Sequence, residues 1–390
     1  MTGRIDWVSS SCRLLGEIAR EFRATRPFRD MTIGTGIHLE PKTAVLLRTL
    51  HDGGARVIAT GNLNSTQPAT VEYLRAHDIE VVTSGTSDAR VHEGDLTAVI
   101  AARPQLLLDN GGDLFLRYLE DPYEGLLGGT EETTSGRTRL EGRRDQLNLP
   151  ILVINDSPIK QFAENEHAVG QSVFESFLRL TNRSTQGKRV VVFGYGACGR
   201  GIATNFRHAS SLVTVIDIDP VTRLKACLDG FDVRDRDEAL RDADIVITAT
   251  GAGGILRRED LGLLGDDAIM MNAGHFPYEI DVEGMRGDPA VTTVVNSSPG
   301  VQTLHLRDGR CLHLLGEGHM VNLDGPSPLG NSIESMDLGF ALQSRCLEMV
   351  ANGTVDRGAI VVPVPRHVDE MVARAYLQLV NGPGTPYPRT

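Results

Sequence analysis

The chain has 390 residues, 41% hydrophobic and 23% charged, which excludes a disordered or fibrous protein and is enough for two domains with separate cores. Its 39 Lys and Arg stand against 51 Asp and Glu, a net charge of −12. That excess repels a phosphate backbone and an anionic lipid surface, so the expected partner is a small organic molecule, with no nucleic acid and no membrane. The five cysteines (Cys12, Cys198, Cys227, Cys311, Cys346) are scattered and never form a CxxC pair, so neither a disulfide framework nor a metal site is expected. The opening residues lack the apolar core of a signal peptide, and no run reaches the ~18 unbroken apolar residues of a membrane span. The expected location is the cytoplasm.

Strand-like apolar runs alternate with helical stretches from end to end, the pattern of an α/β fold. In the first half, MTIGTGIHL, ARVIATGN, IEVVTSG, PQLLLDNGGD and LPILVIND each run into Gly, Asn, Asp or His. Polar residues therefore fall at the carboxyl ends of buried strands, where open parallel sheets bind ligands. Ser157-Pro158 reads as a helix N-cap followed by proline in the first turn, and the helical pattern continues to about Leu180. A second unit opens with KRVVVFGYGACGRG and continues through VTVIDIDP, ADIVITATG, AIMMNAG and TTVVNSS.

The expected architecture is two doubly wound, Rossmann-like domains with a cleft between them that holds the site. Residues 1–156 are read as a substrate-binding domain, 157–186 as a connecting helix and 187–324 as a dinucleotide-binding domain. Residues 325–367 return to the first domain after the turn-rich GPSPLG, and 368–390 form a C-terminal helix with a short tail.

Gly194-Tyr195-Gly196-Ala197-Cys198-Gly199 follows the run Val190–Phe193 and precedes an apolar helical pattern. Here Gly194 permits the tight turn, Gly196 lets backbone N–H groups reach a pyrophosphate, and Gly199 allows close helix packing. Asp217 ends the next strand, where a carboxylate accepts from ribose hydroxyls and repels a 2′-phosphate. The cofactor read from this pattern is NAD, not NADP.

Several stretches in one order, among them GIHLEPKTAVLLRTL, GNLNSTQ, LLLDNGGDL, EETTSGRTRL, VINDSPIK, FGYGACGRG, DDAIMMNAGHF and GEGHMVNL, resemble S-adenosyl-L-homocysteine hydrolase across nearly the whole chain. The resemblance implies a homo-oligomer, tetramer or dimer, with one NAD held per subunit. It also implies a chemistry in which the 3′ carbon of a nucleoside is oxidised, the C4′ proton becomes acidic, the 5′ group is eliminated, water adds and the hydride returns. Lys160 then matches the lysine that assists removal of the 3′-hydroxyl proton, and Asn165 the asparagine beside the nicotinamide. Glu164 stands where the family usually has the aspartate that holds the ribose hydroxyls, one helical turn from Lys160. Glu132 matches the ribose-binding glutamate. Thr133, Thr134 and Ser135 match the hydroxyl run near substrate and NAD, and His275 and Asn322 match positions around the nicotinamide and the ribose.

The departures from the family gather on the 5′ side. His38 matches the histidine near C5′, but the pattern around it becomes His38-Leu39-Glu40-Pro41-Lys42. Glu40 replaces a ribose-side threonine, and Lys42 replaces the side chain that helps read the adenine amino group. Asn110 replaces the second aspartate of Asp-Asp-Gly-Gly-Asp, and an amide cannot act as a carboxylate base. Leu329 falls where a histidine closes over the substrate, and PYPRT ends the chain without the Lys…Tyr tail of the family.

The expectation drawn from these changes is a dehydratase that stops at a 4′,5′-unsaturated nucleoside. It resembles the hydrolase-like enzyme needed to make exomethylene nucleosides of the angustmycin type in antibiotic biosynthesis, with Glu40 as an added acid. The alternatives are an authentic hydrolase giving adenosine and homocysteine, in which Glu40 and Lys42 neutralise each other, and a non-catalytic NAD-binding regulator.

Overall fold

The structure, a computed structural model, describes residues 3–63, 65–83, 85 and 88–381. The tail read as PYPRT lies outside these residues. The chain divides into two units, one running to Gln161 and resuming at Ile333, the other comprising Phe162–Ser332.

The first unit is built on a parallel sheet of β1 (Thr32–Gly36), β2 (Arg56–Thr60), β3 (Glu80–Val81), β4 (Leu106–Asp109), β5 (Gly128–Glu131) and β6 (Ile151–Val153), with the short strand Val362–Pro363 at one edge. The spatial order is β3–β2–β1–β4–β5–β6 followed by Val362–Pro363, so the winding reverses between β1 and β4 and opens a crevice beyond their carboxyl ends. Leu106, Leu107 and Leu108 are fully buried, the continuous apolar run of a strand covered on both faces. β5, by contrast, opens with Gly128-Gly129. A Cβ on Gly129 would lie 1.9 Å from the Leu107 carbonyl oxygen of the neighbouring strand, so only glycine lets the two strands approach.

In the second unit, β7 (Arg189–Phe193), β8 (Leu212–Ile216), β9 (Ile245–Thr248) and β10 (Ile269–Asn272) form a parallel core in the order β8–β7–β9–β10. β11 (Val291–Ser298), β12 (Val301–Leu306) and β13 (Cys311–Leu315) complete this sheet. β13 runs parallel to β10, but β12 is antiparallel to both β13 and β11. The reading of TTVVNSS as one more strand of a parallel doubly wound unit is therefore corrected: Ser298-Pro299-Gly300-Val301 is a tight hairpin, which two-residue connections impose on antiparallel neighbours.

A second correction concerns the helix after Ser157. Ser157 does cap it, its Oγ accepting from the Ile159 and Lys160 N–H groups at 3.1 and 3.4 Å. The segment Lys160–Ala168 is then a π-helix and becomes α-helical only over Val169–Thr181. Bonding from i to i+5 is rare and recurs at functional sites. No helix among the described residues is long and apolar enough to cross a membrane.

Helix Ile333–Ala351 braces the first unit. Its Asp337 accepts from the Leu14 and Leu15 N–H groups at 2.8 and 2.9 Å, capping helix Arg13–Thr25, whose own N-cap residue Cys12 makes no side-chain cap bond. Burial, outweighing those bonds, lifts the Asp337 carboxyl from 3.8 to about 6. The folded state then binds more protons than the unfolded one between about pH 4 and pH 6, so this group's contribution to stability falls as pH rises through that window. Urea unfolding should show that slope diminished in Asp337→Asn. Asp337→Ala should lose about 1–2 kcal/mol of stability through the missing cap.

Candidate active site

At the carboxyl ends of β1, β2, β4 and β5, four of the first unit's expected residues, His38, Asn110, Glu132 and Lys160, join in one chain of hydrogen bonds and an ion pair. Asn110 follows β4 and Glu132 follows β5, and the register pairs Asp109 with Glu131 just before them. Asn110 Nδ2 donates to Glu132 Oε2 at 2.7 Å. Lys160 Nζ faces Glu132 Oε1 at 3.7 Å, with the lysine and glutamate side chains only 6% and 4% exposed. Asn62, in the loop after β2, donates from its amide to Asn110 Oδ1 at 2.8 Å and to Asn110 O at 3.2 Å. From the same loop, Ser65 Oγ lies 2.6 Å from His38 Nδ1.

Two buried acids hold this arrangement from beneath. Glu131 accepts from the N–H groups of Gly111, Gly112 and Thr133 and from Thr133 Oγ1, at 2.7–3.1 Å, tying the loop that carries Asn110 to the loop that carries Glu132. Asp109 accepts from the N–H groups of Asn110 and Phe115 at 2.9 and 3.0 Å. Burial, reinforced by the Asp113 charge, pushes Asp109 up to about 7. Burial, reinforced by Asp109, also raises Glu131 well above the usual carboxylate range.

Thr133 Oγ1 is occupied by Glu131 and by capping the Gly136 N–H, with Ser135 Oγ at 3.1 Å. Thr134 is exposed, and its hydroxyl donates to Asn155 Oδ1 at 3.1 Å. The Glu40 carboxylate, expected as an added acid beside His38, is bound to Lys42: Nζ and Oε2 are 2.8 Å apart with both side chains buried.

In the second unit, Glu164 is buried and Asn165 half-buried on the π-helical segment. Gly194–Gly199 joins β7 to helix Ala197–His208. A Cβ on Gly199 would lie 1.9 Å from the Gly194 carbonyl oxygen, whereas one on Gly196 would meet no protein atom within 4 Å. One glycine serves packing and the other leaves space above the helix N-terminus, the cradle a pyrophosphate needs. The Asp217 carboxylate accepts from the Tyr195 and Asp219 N–H groups at 2.8 and 2.9 Å, which aims it over that turn. Asn322 is 6% exposed and donates to Ser172 Oγ at 3.0 Å, but its Oδ1 is buried without a partner among the described residues. A buried acceptor left open fits a ligand amide better than a finished protein core.

His275 is half-buried on the turn after β10. Asn272 secures that turn by donating to the carbonyls of Gly274 and Phe276 at 3.1 and 3.0 Å. Leu329 is 42% exposed.

The residues present therefore fit NAD. Gly196→Ala should fold with unchanged thermal stability in the cofactor-free protein yet weaken NAD by about tenfold or more, since a methyl group there displaces only the ligand. Equilibrium dialysis checks the affinity, and a destabilised cofactor-free variant would contradict the assignment.

Residues 165–327 match the family described as "S-adenosyl-L-homocysteine hydrolase, NAD binding domain", and residues 5–124 match "S-adenosyl-L-homocysteine hydrolase". The chain is 38% identical over 380 residues to the adenosylhomocysteinase of Thermotoga maritima, covering 96% of this chain and 93% of that protein. It is 39% identical over 384 residues to the adenosylhomocysteinase of Pyrococcus abyssi, covering 96% and 89%. It is also 36% identical over 381 residues to the S-inosyl-L-homocysteine hydrolase of Methanopyrus kandleri, again covering 96% and 89%. The chain belongs to the S-adenosyl-L-homocysteine hydrolase family and uses NAD.

Proposed function

We propose that the protein cleaves a purine nucleoside bearing homocysteine at C5′, and that the base it takes carries an oxo group at position 6. The observation that carries this reading is the buried Glu40–Lys42 pair at 2.8 Å, at the position where the family reads the base. An ammonium has three N–H donors and no acceptor. Opposite the exocyclic amine of adenine it sets donor against donor; opposite a carbonyl oxygen it completes a hydrogen bond. Two relatives named S-inosyl-L-homocysteine hydrolase, 36% identical over 381 and 385 residues, support the same reading.

Bound NAD supplies reversible acceptance of hydride from the 3′ carbon. Around that carbon the Lys160–Glu132 pair is the group that can hold and move the 3′-hydroxyl proton, while Glu132 also accepts from a ribose hydroxyl. Asn110 keeps the Glu132 carboxylate turned toward Lys160. His38, its ring set by Ser65, serves the 5′ side as proton carrier. Thr134, Ser135, Glu164, Asn165, His275 and Asn322 keep the binding roles the family assigns to them.

A second reading, dehydration of a 5′-hydroxyl nucleoside to the 4′,5′-alkene, is favoured by one observation, Asn110. An amide there leaves the hydration half-reaction one carboxylate short. The engagement of Glu40 with Lys42 supports the hydrolase, because the acid that would help expel hydroxide is already paired.

Mass spectrometry of products from S-inosylhomocysteine, S-adenosylhomocysteine and 5′-hydroxyl nucleosides including psicofuranosyl adenine separates the readings. Release of homocysteine, faster from the inosyl substrate, is expected; loss of water from a hydroxyl nucleoside without homocysteine release would replace the hydrolase by the dehydratase. Lys42→Gln should move base preference toward adenine by roughly tenfold, about one hydrogen bond. Lys160→Met should slow reduction of the nicotinamide in a single turnover by about 10²–10⁴, read from its near-ultraviolet band.

A further inference from the structure

The loop after β2 is laid against the segment that carries His38. The Ile37 N–H donates to Thr60 O at 3.2 Å and the Gln67 N–H to Leu39 O at 2.8 Å, so the loop is bound on both sides of the histidine. Within it Ser65 is buried. Its Oγ lies 2.6 Å from His38 Nδ1 and 3.0 Å from the backbone carbonyl of Asn62.

Which atom donates in each contact follows from where the single Ser65 proton lies. A serine hydroxyl has one proton, and a carbonyl oxygen can only accept; placing the Ser65 proton on Asn62 O lets both contacts be hydrogen bonds. The contact with His38 is then made by a Ser65 lone pair, and its proton comes from the ring. In that arrangement the neutral imidazole has its hydrogen on Nδ1 and its lone pair on Nε2.

We propose that Ser65 is a positioning residue that holds His38 as the Nδ1–H tautomer, making Nε2 the atom that exchanges the proton on the 5′ side of the nucleoside. The proposal rests on the role given to His38 above. In elimination the electron pair at C4′ forms the C4′–C5′ double bond, the C5′–S bond breaks, and the departing sulfur takes the proton of Nε2. In hydration the water oxygen bonds to C5′, its proton returns to Nε2, and the pair returns to C4′. Nδ1 keeps its proton throughout, because Ser65 offers it an acceptor in both states.

The same loop reaches the other end of the site. The Asn62 residue whose carbonyl fixes the Ser65 hydroxyl donates through its side chain to Asn110, which in turn orients Glu132 against Lys160. One loop thus sets the proton carriers at both ends of this network.

The test is nitrogen-15 NMR of the NAD-loaded protein with labelled histidine, at a pH where His38 is neutral and with its signals identified by their loss in His38→Gln. The expected result is a protonated Nδ1 and a lone-pair Nε2; a protonated Nε2 overturns the proposal, and this readout needs no Ser65 variant to fold. Ser65→Ala should yield a mixture of tautomers and lower kcat by about tenfold or more, a part of the ~10²–10⁴ a general acid–base group supplies. KM and NAD content should stay within about twofold, and Ser65→Thr, which keeps the hydroxyl, should restore both tautomer and rate. Unchanged tautomer and kcat in Ser65→Ala overturn the proposal. A protonated Nδ1 combined with full activity of His38→Gln overturns the role of Nε2 and the reading of His38, while the tautomer assignment stands.

Discussion

An ammonium and a carboxylate buried together at the end of a parallel sheet constrain everything around them. Lys160 and Glu132 are almost inaccessible and 3.7 Å apart. Removing one partner of such a pair leaves an uncompensated charge at a cost of about 3–5 kcal/mol. The fold fixes both partners from independent directions: Lys160 by a capped helix start at Ser157, itself hydrogen-bonded to Asp369, and Glu132 by the strand end and the Glu131 clamp. Asn110 completes the set. A carboxylate in its place would sit within hydrogen-bond distance of Glu132 Oε2, and two like charges so close force one to hold a proton. The amide removes that conflict, leaving one acid facing one base.

The other buried pair follows the same electrostatic logic. Glu40 and Lys42 are buried and bonded to each other. Either charge alone would be unpaired in the first unit's interior; together they leave the net charge there unchanged. This is why the pair bears more naturally on which base is bound than on an added acid.

The sequence carried the parts of the fold that rest on apolar periodicity. β2, β4 and β6 were legible because buried parallel strands are apolar runs that stop at polar residues. β5 was not, because Gly128-Gly129 is selected by strand proximity, visible only once Leu107 lies beside it. β12 and β13, VQTLHL and CLHLL, were not legible, because a doubly wound pattern does not point to strands joined by hairpins. The π-helical turn left no mark either, since Lys160 and Glu164 share a face in either helix type. The glycine fingerprint, Asp217 and the Asn110–Glu132–Lys160 positions were readable, the first from local turn geometry and the last through resemblance. Asn62 and Ser65 lie in the GNLNSTQ stretch but leave no mark of their own in the sequence, because a serine beside a histidine 27 residues away has no signature in spacing. Glu131 was missed for a related reason: next to Glu132 it reads as half of an acidic pair, yet alternation along the strand turns it away from the site to hold two loops.

In the proposed chemistry, proton movement at Lys160–Glu132 makes the 3′ position oxidisable, and that oxidation acidifies C4′. The most direct measurement is exchange at that carbon. The NAD-loaded protein should be incubated with inosine in deuterium oxide, and the recovered nucleoside examined by NMR. Replacement of the C4′ hydrogen by deuterium is expected, with the other sugar carbon-bound hydrogens retained. Release of homocysteine from S-inosylhomocysteine by a protein that leaves the C4′ hydrogen of inosine in place would contradict it.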